Sequence, residues 1–135
     1  MGSLSSKKKK EEQQFKDYVS WFEIPVLDLE RAVGFYNHIY GFSMEMVESS
    51  AYSMAFFPVD DGIGGALVKV QGCVPSENGP LLYLNGGADL STIISKVEAA
   101  GGRVIMNKTS ISDDAGYFAI FIDTEGNKLA LHSKN

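Results

Sequence analysis

The sequence predicts an α+β fold in which two βαβββ modules form a curved mixed sheet around a cleft. The first observation behind this prediction is an internal repeat, in which one pattern of apolar residues occurs twice, 61 positions apart. The second is that each copy of the pattern is flanked by strand-like runs in the same order. A repeated unit that cannot bury its apolar face alone is expected to pair with its copy.

Each copy of the repeat is typical of an amphipathic helix. The first copy begins at Asp28 (DLERAVGFYNHIYG) and the second at Asp89 (DLSTIISKVEAAGG). In both, apolar residues follow the i, i+3, i+4, i+7 spacing of a helix with one buried face. Each aspartate stands where an N-cap belongs, because its carboxylate can accept bonds from free backbone N–H groups. Gly41 and Gly102 stand just past the two helices, where a left-handed residue usually ends a helix.

Strand-like segments surround both helices in matching order. One run precedes each helix, WFEIPV before the first and LLYLN before the second. Three runs follow each helix: FSMEMVE, AYSMAFFPV and GALVKV in the first half, and RVIMN, GYFAIFID and KLALHS in the second. Tyr52 and Tyr117 correspond at an offset of 65, so the loops differ in length by a few residues. Chance similarity of two amphipathic helices would not account for the shared caps and strand order.

The repeat also predicts the domain organisation. Residues 1–17 are expected to form a flexible charged tail, and residues 18–135 a single domain, with module one at about 18–72 and module two at about 79–133. The run Lys7–Lys10 would suit a nucleic-acid partner. However, Glu11 and Glu12 follow directly and the formal net charge is -5, which argues against binding to a phosphate backbone.

Composition indicates an ordinary soluble globular protein, with 44% apolar and 21% charged residues. The single Cys73 excludes an internal disulfide and a cysteine-based zinc cluster, and it fits a reducing compartment such as the cytoplasm. No segment approaches the ~18 consecutive apolar residues of a membrane span. We therefore expect neither a membrane nor a nucleic acid as a partner.

Two segments at the ends of the repeat carry a family resemblance. WFEIPVLDLERAVGFYNHIYGF and GYFAIFIDTEGNKLALHS resemble the vicinal oxygen chelate superfamily, whose members include glyoxalase I, bleomycin-resistance proteins and extradiol dioxygenases. The resemblance spans about residues 18–133 and implies the paired βαβββ fold. It also implies a homodimer and, in the enzymes of the superfamily, a divalent metal held by His and Glu from inward-facing strand positions.

Carried over residue by residue, the metal ligands of this superfamily fall on Trp21, Leu82 and Ala130. None of these side chains can donate to a metal, so we expect no metal cofactor of the usual kind. Only two histidines are present, and imidazole is a preferred ligand for Zn, Ni and Fe. A site built only from carboxylates, for Mg or Mn, stays open as an alternative.

Glu23 and His132 are the candidate catalytic residues. Side chains alternate faces along a strand, so Glu23 shares the face of Trp21 and His132 that of Ala130. We predict that both point into the cleft and meet, because a carboxylate that orients an imidazole is the usual arrangement for a general base. The alternatives are a structural pair, or an exposed His132 at the end of the last strand. A bulge at Pro25 would reverse the assumed faces.

Aromatic side chains are predicted to line an apolar ligand pocket in the cleft, although core packing is the alternative for each of them. The predicted ligand-binding residues are Trp21, Tyr52, Phe56, Leu82, Tyr117 and Ala130. Glu45 is expected to face outward, and Gly62–Gly65 are expected to form a flexible hairpin beside the cleft.

These observations favour a superfamily member that binds or transforms a small organic molecule without the usual metal. Two alternatives remain. One is a metal-dependent glyoxalase-like lyase of the lactoylglutathione lyase type, and the other is a non-catalytic protein that sequesters a drug or other ligand, as bleomycin-resistance proteins do. The fold alone does not choose between an enzyme, whether lyase or dioxygenase, and a binding protein.

Overall fold

The computed structural model describes residues 14–135, so most of the predicted charged tail lies outside the described residues. Among residues 14–135, no helix is long and apolar enough to cross a membrane. The elements are β1 (Trp21–Pro25), α1 (Leu29–Tyr40), β2 (Glu45–Glu48), β3 (Tyr52–Phe56), β4 (Gly64–Val70), β5 (Tyr83–Asn85), α2 (Ser91–Ile94), β6 (Arg103–Ser112), β7 (Gly116–Ile122) and β8 (Lys128–Ser133).

The element order confirms two βαβββ modules. Each module contributes a four-stranded sheet, with strand order β1-β4-β3-β2 in the first and β5-β8-β7-β6 in the second. In each sheet the first and last strands of the module pair in parallel, while the other neighbours are antiparallel. The two sheets therefore have the same topology, as the repeat predicts.

The first helix matches the prediction at both ends. Asp28 is its N-cap, and its Oδ1 accepts a bond of 3.0 Å from the backbone N–H of Arg31. Gly41 ends the helix with a left-handed φ of 72°. The predicted stripe Leu29, Ala32, Val33 and Tyr36 is buried.

The second helix is shorter than the repeat predicts. Only Ser91–Ile94 is α-helical, and turns follow from 95 to 101. Several of these turns close with bonds between residues three apart, such as Gly101 N–H to Glu98 C=O at 3.1 Å. β-branched and hydroxyl residues in STIIS lower helix propensity, which explains the early end. The left-handed residue is Gly101 rather than Gly102, with a φ of 104°.

Both modules bury their apolar faces in one hydrophobic core. Ile24 and Leu67 of the first module belong to the same buried cluster as Leu84 and Leu131 of the second. The ring of Phe35 on α1 lies 6.0 Å from that of Phe121 on β7, measured between centroids. Residues of both modules therefore belong to one hydrophobic core.

The turn between β7 and β8 carries three buried polar side chains that bond to the first module. Asp123, Glu125 and Asn127 are only 4%, 6% and 6% exposed. Asp123 accepts a bond of 2.8 Å from the Tyr36 hydroxyl, and Asn127 Nδ2 donates one of 2.8 Å to the Pro25 carbonyl. Every buried side-chain polar atom in residues 14–135 has a partner. We call these three residues the polar turn.

Glu125 connects the polar turn to the start of α1. Its Oε1 accepts bonds from the backbone N–H groups of Leu27 (2.9 Å) and Asp28 (2.8 Å). Arg31 donates to both of its oxygens, at 2.8 and 3.0 Å. Burial raises the pKa of Glu125, but the bonds from Arg31, Asp28, Thr124 and Leu27 outweigh it and hold the pKa at about 2.

We predict that Glu125→Gln lowers the free energy of unfolding at pH 7 by about 1–3 kcal/mol, because a buried charged acceptor of several hydrogen bonds is lost. Since the folded state lowers the pKa of Glu125 from 4.5 to about 2, its stabilisation is complete above pH 4.5 and is lost as the pH falls toward 2. Urea unfolding at pH 7 and at pH 3 measures both effects.

The matched control is Glu30→Gln, which removes the same charge from an exposed position on α1. We expect the stability difference between wild type and Glu125→Gln to shrink from pH 7 to pH 3. A difference that stays constant across this range would contradict the role of the Glu125 carboxylate.

Candidate functional site

The first sheet has one face packed on the core and one face that is open. Phe22, Ile24, Ala55 and Leu67 belong to the core or pack against it, and the residues that alternate with them point the other way. The register between β1 and β4 runs without a break from Trp21 to Pro25, so Pro25 does not reverse the faces. We call this surface the first open face; its residues are Trp21, Glu23, Pro25, Glu45, Val47, Tyr52, Met54, Phe56, Gly64, Ala66, Val68 and Val70.

One row of residues crosses all four strands of the first open face. Glu23 pairs with Ala66, Ala66 with Phe56, and Phe56 with Glu45. Since paired residues share a face, Glu45 lies on the same face as Glu23 and Phe56. The expectation that Glu45 faces outward, away from these predicted cleft residues, is therefore wrong. Ala66 is fully buried although it lies on this face.

Trp21 is an exposed aromatic residue at the start of β1, an edge strand of this sheet. Its side chain is 45% exposed, and its ring centroid lies 6.2 Å from that of Phe56. Its indole Nε1 donates a bond of 3.2 Å to Glu23 Oε2. The indole also lies against Gly64, where an added Cβ would come within 3.1 Å of its Cζ3 atom. These contacts hold the indole in one orientation while leaving part of it accessible.

Gly64 and Gly65 are strand residues rather than part of a flexible hairpin. They open β4 and pair with Trp21 and Phe22. A Cβ on Gly65 would collide with the Phe22 ring on the core side. The two glycines therefore provide space for an aromatic ring on each face of the sheet, which corrects the prediction made from the glycine-rich run.

The second sheet also has an open face, with a different composition. By the same register, its open face carries Tyr83, Asn85, Arg103, Met106, Thr109, Phe118, Ile120, Ile122, Lys128, Ala130 and His132. We call this surface the second open face. Ala130 is fully buried at its centre, as Ala66 is on the first.

His132 lies at one end of the second open face. Its Nε2 is 2.6 Å from the carbonyl oxygen of Ala115. A carbonyl oxygen only accepts, so Nε2 carries a proton, and in the neutral ring Nδ1 is then an acceptor. His132 lines a cavity of about 350 Å³ together with Tyr83, Asn85 and Lys134.

The structure does not bring Glu23 and His132 together. Glu23 bonds to Trp21 and His132 to the Ala115 carbonyl, and no ion pair within 4.0 Å joins them in residues 14–135. The physical reason is the position of His132 along β8: the residues of β8 that line a cavity with Glu23 are Lys128 and Leu129 at its start, whereas His132 lies near its end, beside β5. The predicted catalytic pair is therefore not formed.

Two predicted ligand-binding residues lie on the core side of their sheet. Leu82 and Tyr117 pack against the hydrophobic core, whereas Tyr83 and Phe118 occupy the open face. The prediction aligned the modules at offsets of 61 and 65. The core pairs Ile24 with Leu84 and Ala55 with Ala119 instead give offsets of 60 and 64.

A slip of one residue moves a strand side chain to the other face, which explains both errors. The sequence signal that could have placed Tyr83 on the open face is the order of YLN, in which apolar Leu84 stands between two residues with polar groups; the structure buries Leu84 and exposes its neighbours.

The residues of these faces do not fit a chelated divalent metal. Trp21 and Ala130 supply an indole and a methyl group, neither of which coordinates a metal. Glu23 and Glu45 stand three strand spacings apart in their row, roughly 14 Å. No group of three or more His, Cys, Asp or Glu side chains in the described part of the chain could hold a metal ion.

Comparison with known proteins agrees with this architecture. The family model of the Glyoxalase/Bleomycin resistance protein/Dioxygenase superfamily matches residues 18–131. A glyoxylase-like domain-containing protein from Didymella fabae is 31% identical over 119 residues, which cover 84% of this chain and 91% of that protein. The chain therefore belongs to the glyoxalase/bleomycin resistance protein/dioxygenase superfamily.

Solved structures show the same fold at low sequence identity. A glyoxylase/bleomycin resistance protein/dioxygenase domain from Frankia sp. EAN1pec superposes with a TM-score of 0.66 at 17% identity, covering 88% of this chain and 98% of that one. A variant of glyoxalase I from Zea mays gives a TM-score of 0.65 at 21% identity, covering 84% of this chain. This chain spans only 45% of the maize protein.

We predict that Gly64→Val displaces the Trp21 indole, because the new side chain would occupy the space where the ring lies. The fluorescence emission of Trp21, the only tryptophan, should shift to the red as the ring becomes more exposed. Gly34→Ala on α1 is the control, since an added Cβ there meets nothing within 4 Å. An unchanged emission maximum in Gly64→Val would contradict the packing of the indole on β4.

Proposed function

We propose that this protein binds a small planar organic molecule against Trp21 and Phe56 on the first open face, without the chelated metal of its superfamily. The observation that carries the proposal is the orientation of Trp21, which is held by Glu23 and Gly64 while 45% of the side chain stays exposed. A half-exposed indole beside a second aromatic ring presents a flat apolar surface for stacking.

The surroundings of the aromatic pair support binding of a flat ligand. Next to the rings lie Met54, whose half-buried thioether adapts to irregular shapes, and the buried side chains of Ala66 and Val68. A preformed aromatic surface loses little side-chain entropy when a ligand binds, which favours affinity.

A second candidate function is general-base catalysis by His132. The bond from Nε2 to the Ala115 carbonyl orients the ring and leaves Nδ1 as an acceptor beside a cavity of about 350 Å³. Such a base would remove a proton from a small carbonyl compound, as in the lyase alternative. Comparison of wild type with His132→Gln in turnover of a 2-oxoaldehyde–glutathione adduct tests this candidate.

We predict that the protein purified without chelators contains far less than one equivalent of Ni, Zn, Mn or Fe. The reason is that Trp21 and Ala130 stand at the positions where the superfamily's ligands would be expected and supply no donor atoms. Mass spectrometry of metals in the purified protein measures the content directly. One equivalent of any of these metals, retained after gel filtration, would contradict this part of the proposal.

We predict that quinoline, used as a neutral planar probe at pH 8, shifts the single indole N–H resonance of Trp21 in a nitrogen–proton correlation spectrum. Phe56→Ala should weaken its binding by about threefold to tenfold, because one of the two stacking rings is lost. Phe118→Ala, on the second open face, is the matched control and should bind quinoline as the wild type does. Equal weakening in both variants, or no shift on titration, would refute the site.

A further inference from the structure

We propose that the natural ligand of the first open face is a planar aromatic cation. This inference rests on the proposed function and adds to it the charge of the ligand. It derives from how the ionisable side chains are divided between the two open faces, and from the unused hydrogen-bonding capacity of one carboxylate.

The charged side chains of the first open face are all acidic. Its twelve residues include Glu23 and Glu45 and contain no Lys, Arg or His. The second open face has the opposite character, because it carries Arg103, Lys128 and His132 and no Asp or Glu. The two sheets have the same strand topology, and each open face has an alanine at its centre. The faces therefore differ in charge only because the other side chains on them differ.

The two carboxylates flank the aromatic surface. Glu23 and Glu45 stand at the two ends of the row that contains Ala66 and Phe56, and both are exposed. A ligand stacked on Phe56 therefore lies between two negative charges. An anionic ligand in this position would be repelled from both ends of the row.

Glu23 has one carboxylate oxygen available. Its Oε2 accepts the bond from the Trp21 indole, and its Oε1 has no hydrogen-bond partner in residues 14–135. The free oxygen lies next to the most favourable ring for a cation–π interaction, since Trp binds cations better than Tyr or Phe. A cationic ring system placed there would meet the indole face and a carboxylate together.

Lys128 is a basic residue near Glu23, and its positive charge opposes the binding of a cation beside it. It lines a cavity of about 310 Å³ with Glu23 and Leu82, between β1 and the start of β8. No ion pair within 4.0 Å joins Lys128 to Glu23 in the described residues. Lys128 lies on the second sheet, so it disfavours a cation in this cavity and leaves the Trp21–Phe56 side as the favourable position.

Three probes of nearly equal shape test the charge: quinoline, 1-methylquinolinium and quinoline-4-carboxylate, which are neutral, cationic and anionic at pH 8. Dissociation constants come from the shift of the Trp21 indole N–H resonance in full-length protein. We expect 1-methylquinolinium to bind about threefold to tenfold more tightly than quinoline. The carboxylate should bind more weakly than quinoline.

Charge variants connect this preference to named residues. Glu23→Gln should remove most of the preference for the cation, measured within each variant as the ratio of the dissociation constants of quinoline and 1-methylquinolinium, and Glu45→Gln should remove a smaller part. Glu48→Gln is the matched control: it makes the same change in net charge on β2, but its pairing with Ser53 places it on the opposite face. It should leave the order of the three probes unchanged.

The outcomes separate this inference from the proposed function. If quinoline binds and Phe56→Ala weakens it, but the cation binds no better than quinoline, the inference is wrong and the proposed function stands. If Glu48→Gln lowers the preference as much as Glu23→Gln, general attraction to an acidic protein explains it, and the inference is again wrong. If none of the probes shifts the indole resonance, both proposals are wrong.

Discussion

The burial of three polar side chains in one turn determines how the two modules fit together. Asp123, Glu125 and Asn127 would each be costly to bury without partners. Their partners include the Tyr36 hydroxyl and the Arg31 guanidinium of α1, and the Pro25 carbonyl of β1. Because these partners come from the first module, the polar turn is satisfied only when the modules adopt this arrangement. A fully bonded network in a low-dielectric interior specifies one geometry where apolar contacts alone would permit several.

The same network places the residues of the candidate site. β1 is an edge strand whose hydrogen-bonded strand neighbour is β4, and a side-chain bond from Asn127 supports its other edge. This strand presents Trp21 and Glu23 to the first open face. Gly64 at the start of β4 then determines how close the indole can approach the sheet. The orientation of the indole is thus a consequence of backbone packing on both sides of β1.

The two modules keep similar core positions and differ on their open faces. Ile24 corresponds to Leu84, and Ala55 and Leu67 correspond to Ala119 and Leu131. The core accepts only apolar side chains of suitable volume, whereas a solvent-facing surface imposes no such requirement. One framework therefore carries an acidic, aromatic face on one sheet and a basic face on the other. The superfamily's fold is preserved although Trp21 and Ala130, on the two open faces, supply no donor atoms for a metal, since function resides in a site rather than in the fold.

The sequence by itself determined the two modules, the capping of α1, the superfamily, and the position of Trp21 and Glu23 on one face of β1. These features depend on local periodicity and on residues near one another in the chain. Only the tertiary structure decided that Glu23 and His132 lie apart, that Leu82 and Tyr117 face the core, and that Glu45 joins the open face. Loop lengths differ by a few residues between the modules, and strands have a side-chain period of two, so an alignment that is one residue out assigns a strand side chain to the wrong face. The face of a strand residue therefore depends on pairing with distant strands, which no local pattern reveals.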